Sequence, residues 1–248
     1  MPDLPNLPKK LELEPLIEVV FEVRFQSLVP ASTILPGLFF KELVMPAVER
    51  LPLANLPQNI RDANPHFSYA PTELLRSERY SYMIGDKVLV VGAIMPYQGW
   101  QNFKPVILEA VATLKNSKIV TNVERFSLKY VDLIKEVSLT EQLGALKLEL
   151  YVGGNKILNA PLQLRVEMER DGFTQVIQFL TNAQAHYEGK VIAGLVVDVD
   201  SIANCNSVDV NQFHIELPDK LESLHLSNKK AFFSTITDAA LAKLKPAY

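Results

Sequence analysis

Apolar and polar positions alternate most sharply near the start of the chain, where Ile17, Val19, Phe21, Val23 and Phe25 interleave with Leu16, Glu18, Val20, Glu22 and Arg24. Side chains of a strand point alternately to its two faces, so this segment is a strand with one apolar and one mixed face. A half-solvated strand of that kind belongs in an antiparallel sheet. Leu35 to Arg50 predicts a helix that Pro46 ends early. The stretch 51–71 holds four prolines and reads as loop with one short strand. Leu74–Met83 and Lys87–Met95 form a predicted hairpin turning at Ile84-Gly85-Asp86, with the second arm apolar on both faces. Phe103, Val106, Ile107, Ala110, Val111 and Leu114 then fall at i, i+3, i+4, i+7, i+8 and i+11, the stripe of an amphipathic helix with Pro105 in its first turn.

The second half repeats this rhythm. Val123–Ile134 is a strand with Phe126, Leu128 and Tyr130 opposite Arg125, Ser127 and Lys129. Ser138 caps a helical turn, with Glu141 three residues on in the capping-box position. Strands are expected at Lys147–Val152, Leu162–Arg170, Phe173–Ala183 and Lys190–Val199, and Asp171-Gly172 is a strong two-residue hairpin turn. Two helices, Pro218–Leu226 and Asn228–Leu244, close the pattern.

The expected fold is therefore α+β, a large and mostly antiparallel sheet with helices packed on one face, in a single domain spanning 1–248. Halves 14–117 and 120–248 each run strand, helix, antiparallel strands, helix. That order raises a topological expectation of a duplicated unit of TATA-binding-protein-like or helix-grip-like kind, although no residues match between the halves. Short turns between strands argue against a doubly wound parallel sheet.

Composition narrows the function classes. Of 248 residues, 48% are hydrophobic and 21% charged, enough apolar surface to offset the entropy of ordering the chain. The net charge of −3 supplies no basic field to draw the protein onto nucleic acid or anionic lipid. The single cysteine can form no internal disulfide, which fits a reducing compartment. The first ten residues carry three prolines and no apolar run of signal-peptide length, and runs such as Val88–Pro96 fall short of the roughly 20 residues that span a bilayer. A cytoplasmic location without membrane attachment is expected.

Two segments, Pro15-Leu-Ile-Glu-Val-Val-Phe-Glu-Val-Arg-Phe25 and Glu124-Arg-Phe-Ser-Leu-Lys-Tyr-Val-Asp-Leu-Ile134, together resemble a sporadically distributed family of uncharacterised bacterial proteins of about this length. The helical end from Phe232 to Tyr248 is also similar. Lys129 stands where the family commonly has arginine, and Asp132 where it commonly has asparagine. The resemblance implies no activity. It implies a dispensable, horizontally moved gene of the accessory or defence-linked kind.

Candidate chemistry concentrates on the polar sheet face. Glu18, Glu22 and Arg24 share one face of the first strand, Arg125 and Lys129 the matching face of the middle strand, and Arg165, Glu167 and Glu169 form a third row. If these strands are neighbours, the rows either pair as a solvated salt-bridge lattice or form a polar surface that takes a ligand. His66 lies in an aromatic loop ahead of Arg76 and Arg79 and is a candidate acid/base or anion-contacting residue. The histidines His66, His186, His214 and His225 show no metal-ligand spacing, so neither metal nor cofactor is expected. Cys205, read as a loop residue between two asparagines, has no base assigned to it by sequence and is treated as a small apolar residue.

The leading reading is a non-catalytic ligand-binding or protein-interaction module. Homodimerisation or a protein partner is expected, because adjacent Phe232 and Phe233 cannot both turn fully into one helix-packed core. The alternative is an enzyme acting on a small anionic or nucleotide-like substrate. Arg24, Arg125 and Arg165 would then be charge clamps, with Glu22, Lys129 and His66 beside them.

Overall fold

The computed structural model describes residues 7–64, 67–187 and 190–248, with side chains at 186, 187 and 190 left aside. In chain order the elements are β1 (Lys10–Leu11), β2 (Leu16–Ser27), α1 (Leu35–Glu42), β3 (Val48–Arg50), α2 (Gln58–Ala63), β4 (Pro71–Arg76), β5 (Tyr80–Gly85), β6 (Val88–Ala93), α3 (Trp100–Asn116) and β7 (Val120–Ile134). They continue with α4 (Leu139–Gly144), β8 (Tyr151–Val152), β9 (Asn155–Lys156), β10 (Gln163–Arg170), β11 (Phe173–Tyr187), β12 (Lys190–Asp209), α5 (Val210–Thr235), α6 (Asp238–Lys243) and β13 (Pro246–Ala247). Among the described residues, nine strands build one antiparallel sheet in the order β10-β11-β12-β7-β2-β6-β5-β4-β3. The α+β class with a large antiparallel sheet is as expected.

The chain divides into two compact units, Glu18–Leu128 with Ile202–Leu224, and Lys129–Ser201 with His225–Tyr248 and the N-terminal residues through Ile17. In the first, the alternation of β2 is realised: Val19, Phe21, Val23 and Phe25 are fully buried while Glu22 and Arg24 are half-buried. Helices cover that apolar face. Phe21 meets Phe126 of β7, and Phe126 meets Phe213 of α5 edge-on at 5.3 Å. Helix α3 buries Phe103, Ile107, Ala110, Val111 and Leu114, five of the six stripe positions, with Val106 half-buried.

The core of the second unit gathers Ile177, Phe179, Leu195, Val197, Val199, Ala231 and Ile236. Both Phe232 and Phe233 enter it, with rings edge-to-face at 5.1 Å, so neither is the partner-facing residue that adjacency suggested. A buried polar string also ties α5 to the sheet. Ser201 Oγ donates to Gln175 Oε1 at 2.6 Å, Gln175 Nε2 donates to Ser227 Oγ at 2.9 Å, and Asn228 Nδ2 donates to the Val199 carbonyl at 2.9 Å.

Several expected boundaries move, each for a local reason. The predicted arm Leu74–Met83 is two strands, because Ser77 accepts from the Tyr80 amide and turns the chain between β4 and β5. Helix α1 stops at Glu42, and Val44 takes a positive φ of 51° before Pro46 is reached. Helix α3 begins at Trp100, which places Pro105 in the second turn, not the first. The strand expected at Lys147–Val152 shrinks to Tyr151–Val152, with Leu146 bridging Ile236. Pro218 lies inside α5 instead of opening a new helix. An interior proline costs a helix about 3 kcal/mol, but Phe213, Leu217, Leu221 and Leu224 are all fully buried on either side of it and hold the helix to the core. The capping box of Ser138 and Glu141 and the Asp171-Gly172 turn, with φ of 54° and 79°, form as expected.

Candidate functional site

A cluster of charged and polar side chains on the polar sheet face lies within the first unit, where β2 and β7 bring together Glu22, Arg24, Gln26, Glu124 and Arg125. One oxygen of Glu22, Oε1, accepts from Arg24 Nε at 2.7 Å and from Arg125 Nη2 at 3.2 Å. The Arg24 guanidinium also lies 4.6 Å above the Tyr69 ring, a cation–π contact. Tyr69 Oη donates to Glu124 Oε2 at 2.6 Å, and Gln26 Nε2 donates to Glu124 Oε1 at 3.2 Å. Glu124 is thereby held by two neutral donors, and Glu22 by two cations.

Glu124 reaches this face because β7 breaks alternation. Val123 and Phe126 are both buried, while Glu124 and Arg125 are both half-buried and both bond side chains of the polar cluster. Two consecutive residues on one side are what a one-residue β-bulge produces. Strict alternation places Glu124 with Phe126 on the apolar face, which is why the sequence reading misses it. Tyr69 is also missed, since it follows the proline-rich loop and no periodicity addresses it.

The titration behaviour of the site follows from its contacts. Burial, followed by the hydrogen bond and the negative charge of Glu124, pushes the Tyr69 hydroxyl up to about 12, against the opposing pull of Arg24 and Arg125. Tyr69 thus stays protonated across the physiological range and serves as a donor. The Nε of Arg125 is buried and has no hydrogen-bond partner. A guanidinium N–H without an acceptor is costly when shielded from water, by roughly 1–3 kcal/mol.

The other candidates lie elsewhere. Lys129 belongs to the second unit and pairs with Asp198 at 3.4 Å. Arg165, on β10, pairs with Glu167 at 2.9 Å and is more than half exposed. His66 lies outside the described residues, as does the side chain of His186. Cys205 sits within β12, not in a loop, and burial pushes its thiol up, with Lys220 lowering and Glu216 raising it. That environment disfavours the thiolate a nucleophile needs. Among the described residues, no group of three or more His, Cys, Asp or Glu side chains is arranged to hold a metal ion, and no helix is long and apolar enough to cross a membrane.

Asp132, the position where the resembled family commonly has asparagine, is 4% exposed. Burial pushes its carboxyl well above the usual carboxylate range, and Glu14 and Asp198 add in the same direction. Unfolded, the group ionises near an ordinary value of about 4. Above that pH the folded chain holds a proton that the unfolded chain has released, so this group's contribution to stability is full below about 4 and falls as pH rises toward the folded value. Asp132→Asn is expected to melt higher than the parent at neutral pH, with the gap closing in acid. Parallel thermal melts across pH check this, and a variant less stable at neutral pH would contradict it.

No protein-family model matches this chain, and no curated protein matches it either.

Proposed function

We propose that the protein is a non-catalytic binding protein that works as a homodimer and takes a small anionic ligand on the polar face of β2 and β7. The carrying observation is the buried Arg125 Nε that lacks an acceptor beside a guanidinium pair already organised around a carboxylate oxygen. Glu22 occupies the place a ligand carboxylate or phosphate oxygen would take, between Arg24 and Arg125, and arginine's fork suits either group. Tyr69 supports binding rather than turnover, since a hydroxyl held near 12 donates and does not abstract protons. Two arginines and two glutamates leave no net local charge, so the site selects by hydrogen-bond geometry rather than by long-range attraction.

Calorimetric titration with inorganic phosphate and with adenosine monophosphate tests the reading. The parent protein is expected to bind at least one of them. Arg125→Ala is expected to weaken that binding roughly tenfold or more, since a hydrogen bond to a charged group contributes about 1.5–3 kcal/mol. Its effect on stability should stay near 1 kcal/mol or below, as for a part-exposed pair. A parent that binds neither anion, or an Arg125→Ala variant that binds as the parent does, would overturn the assignment.

The strand order also supports reading the sheet as a duplication. From the centre outward, β2-β6-β5-β4 on one side has the same succession as β7-β12-β11-β10 on the other. The arms come from 14–117 and 120–248 respectively.

A further inference from the structure

We propose that two copies of the chain pair through the outer edges of their β10 strands, in one antiparallel register centred on Val166. This rests on the homodimer reading above and names the surface that forms it. Among the described residues β10 ends the nine-stranded sheet, with β11 on its inner side only. The Asp171-Gly172 turn joins Arg170 to Phe173 as partners, and the two residues flanking such a turn form a hydrogen-bonded pair. Hydrogen-bonded positions recur every second residue, so the even-numbered residues of β10 face β11, in line with the Leu162 carbonyl accepting from the Thr181 amide at 3.0 Å. The backbone groups of Gln163, Arg165, Glu167 and Glu169 therefore point away from the sheet.

An edge strand of eight residues is a template for pairing, and its charges decide which chain it accepts. Here the charges are self-complementary. With Val166 opposite its own copy, Arg165 of each chain lies opposite Glu167 of the other, twice, and Gln163 lies opposite Glu169. On the other face Leu164 meets Met168, and Val166 meets Val166. The same register aligns the outward backbone donors and acceptors with each other, and places Val166 at a non-hydrogen-bonded position, where facing side chains come closest. In the single chain Arg165 turns along its own strand to Glu167 at 2.9 Å, with both side chains more than half exposed. Met168 is 38% exposed on a strand whose neighbours Leu164 and Val166 are half-buried. Pairing exchanges the two intrastrand ion pairs, one in each chain, for two between chains, and covers Met168. A partner with an unrelated edge would meet uncompensated charge.

The test is a charge swap read by native mass spectrometry and sedimentation at micromolar concentration, with circular dichroism to confirm folding. The parent is expected at twice the mass of one chain. Arg165→Glu and Glu167→Arg, made separately, each put like charges opposite each other at both ends and are expected to run as monomers. Mixed one to one, the two variants restore both opposite-charge contacts, and a heterodimer should return. Single variants that remain dimeric would place the dimer elsewhere, overturning the β10 assignment but not the homodimer reading. Monomeric variants that do not recover on mixing would overturn the register. A monomeric parent would overturn both readings.

Discussion

Removing either partner of the Arg61–Asp86 pair is expected to cost about 3–5 kcal/mol, because the group left behind is a buried charge with no counter-ion. Arg61 and Asp86 are 9% and 5% exposed. Arg61 donates to Asp86 Oδ2 through Nε at 3.0 Å and lies within 2.9 Å of it through Nη2, while Nη1 donates to the Leu56 carbonyl at 2.6 Å. Asp86 in turn accepts from the Ser32 hydroxyl, and its backbone carbonyl accepts from the Ala31 amide at 3.0 Å. The pair therefore ties the short helix α2 and the segment before α1 to the turn between β5 and β6. Urea unfolding of Arg61→Ala and Asp86→Ala should show both losses. The double variant should lose clearly less than the two single losses added together, since it leaves no orphaned charge. Additive costs, or a cost below 1 kcal/mol for either single change, would mean that the pair is screened by water.

The sequence shows the pair's residues but not their meeting. Arg61 falls in a proline-rich stretch with no periodicity, and Asp86 reads as a turn residue chosen for its backbone, so nothing local connects them. The sheet was legible where one face is solvated, as in β2, because the pleat writes burial into every second residue. It was legible too at the Asp171-Gly172 turn, where the backbone itself demands the residues. Grouping Glu22, Arg24 and Arg125 succeeded because β2 and β7 are neighbours. Arg165 failed to join them because β10 stands four places from β2 in the sheet order, a matter of long-range topology that charge patterning along the chain does not carry. Cys205 was misplaced for a related reason: β12 continues to Asp209 through asparagines and a serine, residues that local propensity assigns to loops.

Two glycines carry opposite expectations that composition alone would treat alike. Replacing glycine with alanine ordinarily stabilises a chain by about 0.4–1 kcal/mol, by restricting the unfolded state. Gly37, within α1, follows that rule, since a Cβ there would meet nothing within 4 Å. Gly194, within β12, reverses it. A Cβ at Gly194 would collide with the Ile134 carbonyl oxygen, and it would sit 3.0 Å from the Ile134 carbonyl carbon and 3.1 Å from the Lys135 Cα. All three are backbone atoms at the end of β7, so no side-chain rotation relieves the clash and β12 must move away from its neighbour in the sheet. Such overpacking costs about 1–3 kcal/mol. Gly194→Ala should therefore melt below the parent and Gly37→Ala above it. A Gly194→Ala protein as stable as the parent would show that β12 can shift at that point without disturbing Leu195, Val197 and Val199, which are fully buried just beyond it.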